Sequence, residues 1–176
     1  MIIKPDNEML SYSGRIDFDD RLAPVLVYAC SSIGMKFTGT SLKAVIVNHR
    51  SCWTNELGYF IDGEQKRFTL SSDEEKKTYT LAENLPEGTH ELLLFKRMDS
   101  CHTFTFYGFE IDDGAKVLAL PEKPKRKMEF FGDSVSCGEV SEAVEYAGKP
   151  DPEHDGQYSN SWYSYAWMTA RRLNAQ

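Results

Sequence analysis

The chain has 176 residues, of which 41% are hydrophobic and 27% are charged, a composition typical of globular proteins. Its formal net charge of -7 argues against general nucleic-acid binding, which favours a basic surface. No apolar run approaches the roughly 20 residues that span a bilayer, and no signal peptide is visible, so we expect no membrane partner and a cytoplasmic protein, or a secreted one if a leader has been removed.

Residues 1–120 carry the pattern of short strands separated by turns. The runs 42–47 and 103–109 are rich in β-branched and aromatic residues, as strands are. Asp62-Gly63 lies between two strand-like runs and predicts a hairpin with a type I′ turn, which needs a positive φ at both central residues. Pro86-Glu87-Gly88 predicts a further turn. Strand signals about every 8 to 12 residues predict an antiparallel β-sandwich domain of the jelly-roll type.

Residues 121–127 interrupt this pattern and predict a linker between two domains. Pro121 and Pro124 cannot continue a sheet ladder, and the four cationic side chains of the segment favour solvent. The Pro-Lys-Arg-Lys run at 124–127 also matches a nuclear localisation signal, but so short a basic run is common by chance. The linker is therefore the favoured interpretation.

Residues 128–176 carry the pattern of an α/β domain. The Met-Glu-Phe-Phe run at 128–131 predicts a short strand, and 161–173 predicts a helix that Asn174 would end. The apolar positions of this helix recur on one face: Trp162, Ala166, Ala170 and Leu173. One strand and one helix cannot make a stable sheet, so we expect only the N-terminal part of an α/β domain.

Between the predicted strand and helix, Gly132-Asp133-Ser134 predicts a tight turn that presents a serine. A nucleophilic serine must be exposed, rigidly supported and close to backbone N–H groups that stabilise the developing oxyanion. Gly132 allows close backbone approach, Asp133 is placed to hydrogen-bond the neighbouring backbone, and the Ser134 N–H can point toward the reaction centre. A capping serine in an ordinary strand-to-loop turn is the alternative.

Residues 129–138 resemble the first conserved block of the GDSL/SGNH hydrolases. The Cys137-Gly138 pair after the serine, together with the preceding basic run, is similar to carbohydrate esterase family 2. Segments 77–97, 104–112 and 161–173 are similar to the same family, so the resemblance covers nearly all of the chain.

The resemblance implies a β-sandwich joined to a three-layer SGNH-type α/β domain, truncated here after its first strand and helix. It implies an esterase, such as an acetylxylan esterase, that removes O-acetyl groups from plant polysaccharides or oligosaccharides without a metal or organic cofactor. Ser134 would form the acyl-enzyme, and its N–H would be one oxyanion donor. The family's glycine and asparagine donors and its C-terminal histidine base have no match up to residue 176. We therefore expect the α/β domain to need a C-terminal portion and this chain alone to be inactive.

Two aromatic or basic residues outside this turn are further candidates. Trp53 lies in the polar loop 48–56 and is a candidate for contact with a sugar ring, whereas Trp162 and Trp167 favour the core. His154, flanked by acids, is an alternative base, and a solvated loop histidine is its ordinary interpretation. The other three histidines are expected to be structural.

The remaining polar groups carry no predicted site. Five acidic residues lack metal-ligand spacing and predict a solvated surface: Glu139, Glu142, Glu145, Asp151 and Glu153. Four scattered cysteines form no Cys-x-x-Cys pair and predict free thiols: Cys30, Cys52, Cys101 and Cys137. Two other functions stay open beside the esterase, a carbohydrate-binding β-sandwich module and an inactive truncated fragment.

Overall fold

The twelve strands of the computed structural model come first along the chain, its helices follow, and all residues from 1 to 176 are described. The strands are β1 (Ile2–Ile3), β2 (Ser11–Ser13), β3 (Ile16–Asp17), β4 (Val25–Leu26), β5 (Ser32–Thr38), β6 (Leu42–His49), β7 (Glu56–Ile61), β8 (Glu64–Thr69), β9 (Lys77–Ala82), β10 (Thr89–Lys96), β11 (Thr103–Ile111) and β12 (Val117–Leu118). The helices are α1 (Ser134–Cys137) and α2 (Tyr165–Arg172), with single 3₁₀ turns at Val144–Tyr146 and Ser161–Tyr163.

The strands form two six-stranded sheets in which every pairing is antiparallel. The first sheet has the order β3-β4-β11-β6-β9, and β1 also pairs with β11. The second has the order β12-β5-β10-β7-β8, and β2 also pairs with β5. The predicted antiparallel β-sandwich is thus confirmed.

A single hydrophobic core lies between the two sheets, because each strand turns one set of alternate side chains inward. On β6, Leu42, Ala44 and Ile46 are fully buried while the residues between them are partly exposed. Phe106 and Phe109 of β11 pack with ring centroids 4.7 Å apart. Buried residues of both sheets belong to one cluster of 20, which makes the sandwich a single packing unit.

The β7–β8 hairpin turns at Asp62-Gly63, as predicted. Asp62 has a φ of 52° and Gly63 a φ of 85°, so both central residues adopt the left-handed conformation of a type I′ turn. His90, which is buried, bonds the Asp62 carboxylate through Nδ1 at 2.6 Å and the Pro86 carbonyl through Nε2 at 2.9 Å. His90 is therefore structural, as expected, and joins two turns of the sandwich.

The second sheet also packs against the C-terminal part of the chain. Phe60 and Phe95 alternate with core residues and so point away from the sandwich interior. The Trp162 ring lies 4.4 Å from Phe60, and the Trp167 ring lies 5.3 Å from Phe95. Both tryptophans thus pack against the outer face of this sheet and are partly exposed, whereas the sequence favoured the core for them.

The segment after the sandwich has little regular structure. Residues 121–127 form no strand, although the Lys123 ammonium donates to the carbonyl of Tyr12. The prediction of a strand at 128–131 is wrong, because these residues form no strand and Phe131 is 83% exposed. Pairing is limited to a parallel bridge between Arg126 and Ala175. The division of the chain into domains at 121–127 stays a prediction.

The helix predicted at 161–173 is interrupted at Ser164. The backbone of Ser164 is extended, and the Ser164 hydroxyl accepts a 3.1 Å hydrogen bond from the N–H of Trp167. Ser164 therefore caps α2. Ala166 and Ala170 are buried as predicted, but Leu173 is 46% exposed.

The end of α2 follows the prediction. Asn174 has a φ of 49° and bonds the Arg171 carbonyl, while the N–H of Ala175 reaches the carbonyl of Ala170 at 2.9 Å. This is a Schellman motif, which ends a helix and satisfies its last carbonyls. None of the helices has the length and apolarity that crossing a membrane requires.

Candidate active site

The Ser134 turn begins the short helix α1, and Asp133 caps it. The Asp133 carboxylate accepts a 3.1 Å hydrogen bond from the N–H of Val135. Ser134 is half-buried and occupies the first helical position, whose N–H has no partner within the helix. Local geometry therefore presents the Ser134 hydroxyl and N–H together at the start of a capped turn.

Gly132 lies against the other side of the same turn. A Cβ on Gly132 would collide with the Ser136 hydroxyl and would lie 2.8 Å from the Ser136 Cβ, a distance that side chains do not adopt. Ser136 is itself fixed by a 2.7 Å hydrogen bond to the Tyr165 hydroxyl on α2. The sequence-based expectation that Gly132 permits a close approach agrees with this geometry.

Gly138 ends the turn in the left-handed conformation, with a φ of 79°. Its N–H bonds the Val135 carbonyl at 3.1 Å, and the next N–H, of Glu139, bonds the Ser134 carbonyl at 3.0 Å. A Cβ at Gly138 would lie 2.7 Å from the carbonyl oxygen of Asn160. Only glycine fits both the conformation and the close approach.

Cys137 lies in the same turn but is not set up as a nucleophile. Burial raises the pKa of its thiol to about 11, and the nearby Asp99 carboxylate acts in the same direction. The thiol therefore stays protonated at neutral pH, and the thiolate is the reactive form. All four cysteines are free thiols in the structure.

Trp53 lies at the junction between the sandwich and the Ser134 turn. It extends from the loop between β6 and β7, and its ring packs 4.6 Å from the ring of His154 and 6.3 Å from that of His102. A shallow depression beside it brings both parts of the chain together: it is lined by Trp53, Arg97, Met98, Asp99, Cys137, Glu139 and Ser159. The structure thus brings Trp53 close to the C-terminal end of α1.

The histidines make their contacts away from Ser134. His154 accepts a 3.3 Å hydrogen bond from the N–H of Gly156, and its Nε2 lies 3.8 Å from Glu139. Asp155, one of the acids that flank His154, accepts hydrogen bonds from the hydroxyl and N–H of Thr54. His154 is accordingly a packed residue beside Trp53 rather than a solvated loop histidine.

The prediction of a solvated acidic surface is wrong for Glu142. This residue accepts hydrogen bonds from Arg97 at 2.7 Å and from Asn160 at 2.6 Å, and its side chain is 30% exposed. Arg97 directly follows β10 in the chain and is 2% exposed. The sequence did not reveal the Arg97–Glu142 pair, because 45 residues separate the two and no local pattern joins them.

Three comparisons relate the chain to known proteins. Residues 12–121 match a sequence model described as carbohydrate esterase 2 N-terminal. The chain is 34% identical over 171 residues to the cellulase/esterase CelE of Acetivibrio thermocellus, covering 97% of this chain and 20% of that protein. It is 26% identical over 153 residues to an acetylxylan esterase / glucomannan deacetylase of Cellvibrio japonicus, covering 83% and 41%.

A solved structure of a family two carbohydrate esterase from Clostridium thermocellum, in complex with cellohexaose, has the same fold. It matches with a TM-score of 0.81 and 32% identity over 95% of this chain and 49% of that chain. Our chain therefore spans about half of this solved relative and less than half of the two curated relatives. The matched range 12–121 runs from β2 to just past β12, so the sandwich itself carries the family signal. The chain belongs to the carbohydrate esterase 2 family.

Proposed function

We propose that the protein is a serine esterase that removes O-acetyl groups from carbohydrates, with Ser134 as its nucleophile. The observation that carries this proposal is the Ser134 turn, capped by Asp133 at one end and closed by Gly138 at the other, in a chain of this esterase family. The activities named for the relatives, a cellulase/esterase and an acetylxylan esterase / glucomannan deacetylase, support acetylated plant polysaccharides as substrates.

In the proposed reaction, the Ser134 Oγ attacks the acetyl carbonyl carbon while a base takes the hydroxyl proton. The carbonyl oxygen becomes an oxyanion, which the N–H of Ser134 and further donors stabilise. Collapse of this intermediate expels the sugar hydroxyl, which receives the proton from the base, and leaves an acetyl group on Ser134. Water then hydrolyses this acyl-enzyme to acetate and free serine. No step needs a metal or an organic cofactor.

The base and the remaining oxyanion donors are proposed to lie in the half of the solved relative that this chain does not span. His154 is the candidate base within the chain, and its ring nitrogens contact Gly156 and Glu139. We therefore propose that the 176-residue chain alone has no appreciable esterase activity, and that its α/β part is the beginning of an SGNH-type domain.

Trp53 is proposed to contact the carbohydrate. Its ring is partly covered by His102 and His154, and its half-exposed remainder borders the depression that also contains Cys137 and Glu139. A sugar whose acetyl group reaches Ser134 would lie along this junction. Aromatic contact there would contribute to KM rather than to the chemical step.

The decisive experiment is Ser134→Ala in the full-length protein, assayed with 4-nitrophenyl acetate and with acetylated xylan. We expect kcat to fall by at least about a thousandfold, because removal of the nucleophile leaves only the binding contribution to catalysis. Ser136→Ala, in the same turn, is the matched control and should keep most of the activity. Retention of more than a few per cent of activity by Ser134→Ala would refute the assignment.

The same assay on the 176-residue chain tests where the base lies. No appreciable turnover is expected. Brisk turnover that Ser134→Ala abolishes and His154→Ala reduces would instead make His154 the base.

Carbohydrate binding without catalysis is the second candidate, favoured by the solved relative's complex with cellohexaose. Isothermal titration of the chain with cello-, manno- and xylo-oligosaccharides would test it, with Trp53→Ala as the variant expected to weaken binding. If Trp53→Ala leaves the heat of binding unchanged, Trp53 is not part of the binding surface.

A further inference from the structure

The helix α1 is too short to be stable by itself. It has four residues, and an isolated helix of one turn does not recover the cost of forming its first hydrogen bond. Its cap by Asp133 fixes only the N-terminal end. The position of Ser134 therefore depends on tertiary contacts that hold the C-terminal end of the turn.

Asn160 makes those contacts. Its N–H donates to the Gly138 carbonyl at 3.1 Å, and its own carbonyl lies against Gly138 and accepts a 3.0 Å hydrogen bond from the Ser141 hydroxyl. Asn160 is fully buried, so its polar groups must be paired within the protein. A shift of Asn160 would consequently move Gly138 and the turn before it.

The side chain of Asn160 is held by Glu142. Its amide donates to one carboxylate oxygen of Glu142 at 2.6 Å, and the N–H of Glu142 bonds the Tyr158 carbonyl at 2.9 Å. Segments 138–142 and 158–161 thus hold each other through both backbone and side chain.

Arg97 of the sandwich forms hydrogen bonds with both segments, 138–142 and 158–161. Its Nη2 donates to the second Glu142 oxygen at 2.7 Å, and its Nε donates to the Ser159 carbonyl at 3.0 Å. Its own carbonyl accepts a 3.0 Å hydrogen bond from the N–H of Ser161. Glu56, 3.9 Å from the Arg97 Nε, adds a second nearby carboxylate. Arg97 therefore binds Ser159 and Ser161, which flank Asn160. Through Glu142 it is also connected to the side chain of Asn160.

We propose that Arg97 is a positioning residue for Ser134, acting through Glu142 and Asn160 on the C-terminal end of α1. The inference rests on the proposed function, because it concerns the placement of the proposed nucleophile. Arg97 belongs to the β-sandwich, and the turn belongs to the part of the chain that follows it. The sandwich is then a structural component of the catalytic turn.

The test uses Arg97→Lys, Arg97→Met and Glu142→Gln in the full-length protein. Glu142→Gln is nearly isosteric but can accept only one of the two hydrogen bonds that the carboxylate accepts, and it carries the test if the Arg97 variants fail to fold. We expect kcat for acetyl-ester hydrolysis to fall about tenfold or more while KM changes less than about twofold, because a displaced nucleophile slows the chemical step. Arg97→Lys should retain more activity than Arg97→Met.

Two further kinetic comparisons make the test specific. Combining Arg97→Lys with Glu142→Gln should cost little more than the worse single variant, because both act on one pathway. Lys36→Gln, which breaks the 2.9 Å ion pair between Lys36 and Glu91 on the sandwich surface, is the control and should leave kcat unchanged. Unchanged kcat in both Glu142→Gln and Arg97→Met would overturn the proposal.

Amide hydrogen exchange provides a readout that is independent of activity. In Glu142→Gln, peptides covering residues 133–139 should exchange at least about fivefold faster, while those covering β6 should not change, because the opening is local. Protection at 133–139 equal to that of the unmodified protein would overturn the positioning role. Full activity in Ser134→Ala would refute the proposed function alone, since the exchange result would still decide whether Arg97 holds the turn.

Discussion

Gly132 and Ser136 approach each other so closely that a methyl group on Gly132 would lie 2.8 Å from the Cβ of Ser136. The Ser136 hydroxyl can rotate away, but its Cβ is fixed by the backbone of α1. The turn that presents Ser134 is therefore built around the absence of a side chain at residue 132.

Gly132→Ala should destabilise the protein by about 1–3 kcal/mol, the usual cost of forcing an extra methyl group into a filled space. Urea unfolding followed by tryptophan fluorescence would measure this. Adding Ser136→Gly to the same protein should recover part of the loss, because it removes the colliding Cβ. If Gly132→Ala costs as much in the Ser136→Gly background as in the unmodified protein, the collision is not the cause.

Lys96 gives the protein a stability that depends on pH. It is fully buried and donates to the carbonyls of Met98 and Asp99, and burial lowers the pKa of its ammonium to about 7, although the Asp99 carboxylate acts in the opposite direction. Between pH of about 7 and 10.5 the unfolded chain binds more protons at this lysine than the folded protein does. The free energy of unfolding should therefore rise with pH across this window.

Lys96→Met removes the titrating group and should flatten that rise. Urea unfolding of both proteins at several pH values from 7 to 10 would compare the slopes, whatever the absolute stability of the variant. Identical slopes would contradict a lowered pKa at Lys96.

Arg171 should contribute more to stability than its neighbour Arg172. The Arg171 guanidinium lies 3.6 Å from the centre of the Trp162 ring, whereas Arg172 is exposed. Arg171→Met should cost about 0.5–2 kcal/mol, the range for a cation over an aromatic face, and Arg172→Met should cost less than about 0.5 kcal/mol. Equal losses in thermal unfolding would argue against the stacking contribution.

The Asp62-Gly63 turn can be tested with two substitutions at one position. Gly63 has a φ of 85° with open space around it, so the cost of a side chain there is conformational rather than steric. Gly63→Ala should cost about 1–2 kcal/mol, and Gly63→Asn should cost less, because asparagine adopts the left-handed conformation more readily. Chemical unfolding would give both values, and a more severe loss with asparagine would contradict this explanation.

The parts of the fold that depend on neighbouring residues were predictable from the sequence. The type I′ turn follows from Asp62-Gly63, and the end of α2 follows from Asn174, since each requires a backbone conformation that few residues adopt. The strands β6 and β11 follow from their β-branched and aromatic content. The cap of the Ser134 turn by Asp133 also involves only neighbouring residues.

The incorrect sequence-based predictions have two causes. Some residues contact partners that are distant in the sequence, and at others two local signals favour different structures. The predicted helix is interrupted at Ser164 because the Ser164 hydroxyl caps α2. The spacing of apolar residues does not indicate where a helix is capped. The apolar residues at 128–131 have no neighbouring strand to pair with, so they remain largely exposed. Glu142 looked like a surface acid because its partner Arg97 comes from the other part of the chain.

The bridge between Arg126 and Ala175 has a consequence for the arrangement of groups around Ser134. Because the bridge is parallel, the chain before α1 and the chain after α2 run in the same direction, joined by a crossover that contains both helices. Parallel segments bring their carboxyl ends to one edge. The Ser134 turn follows the carboxyl end of the first of these segments and so lies at that edge.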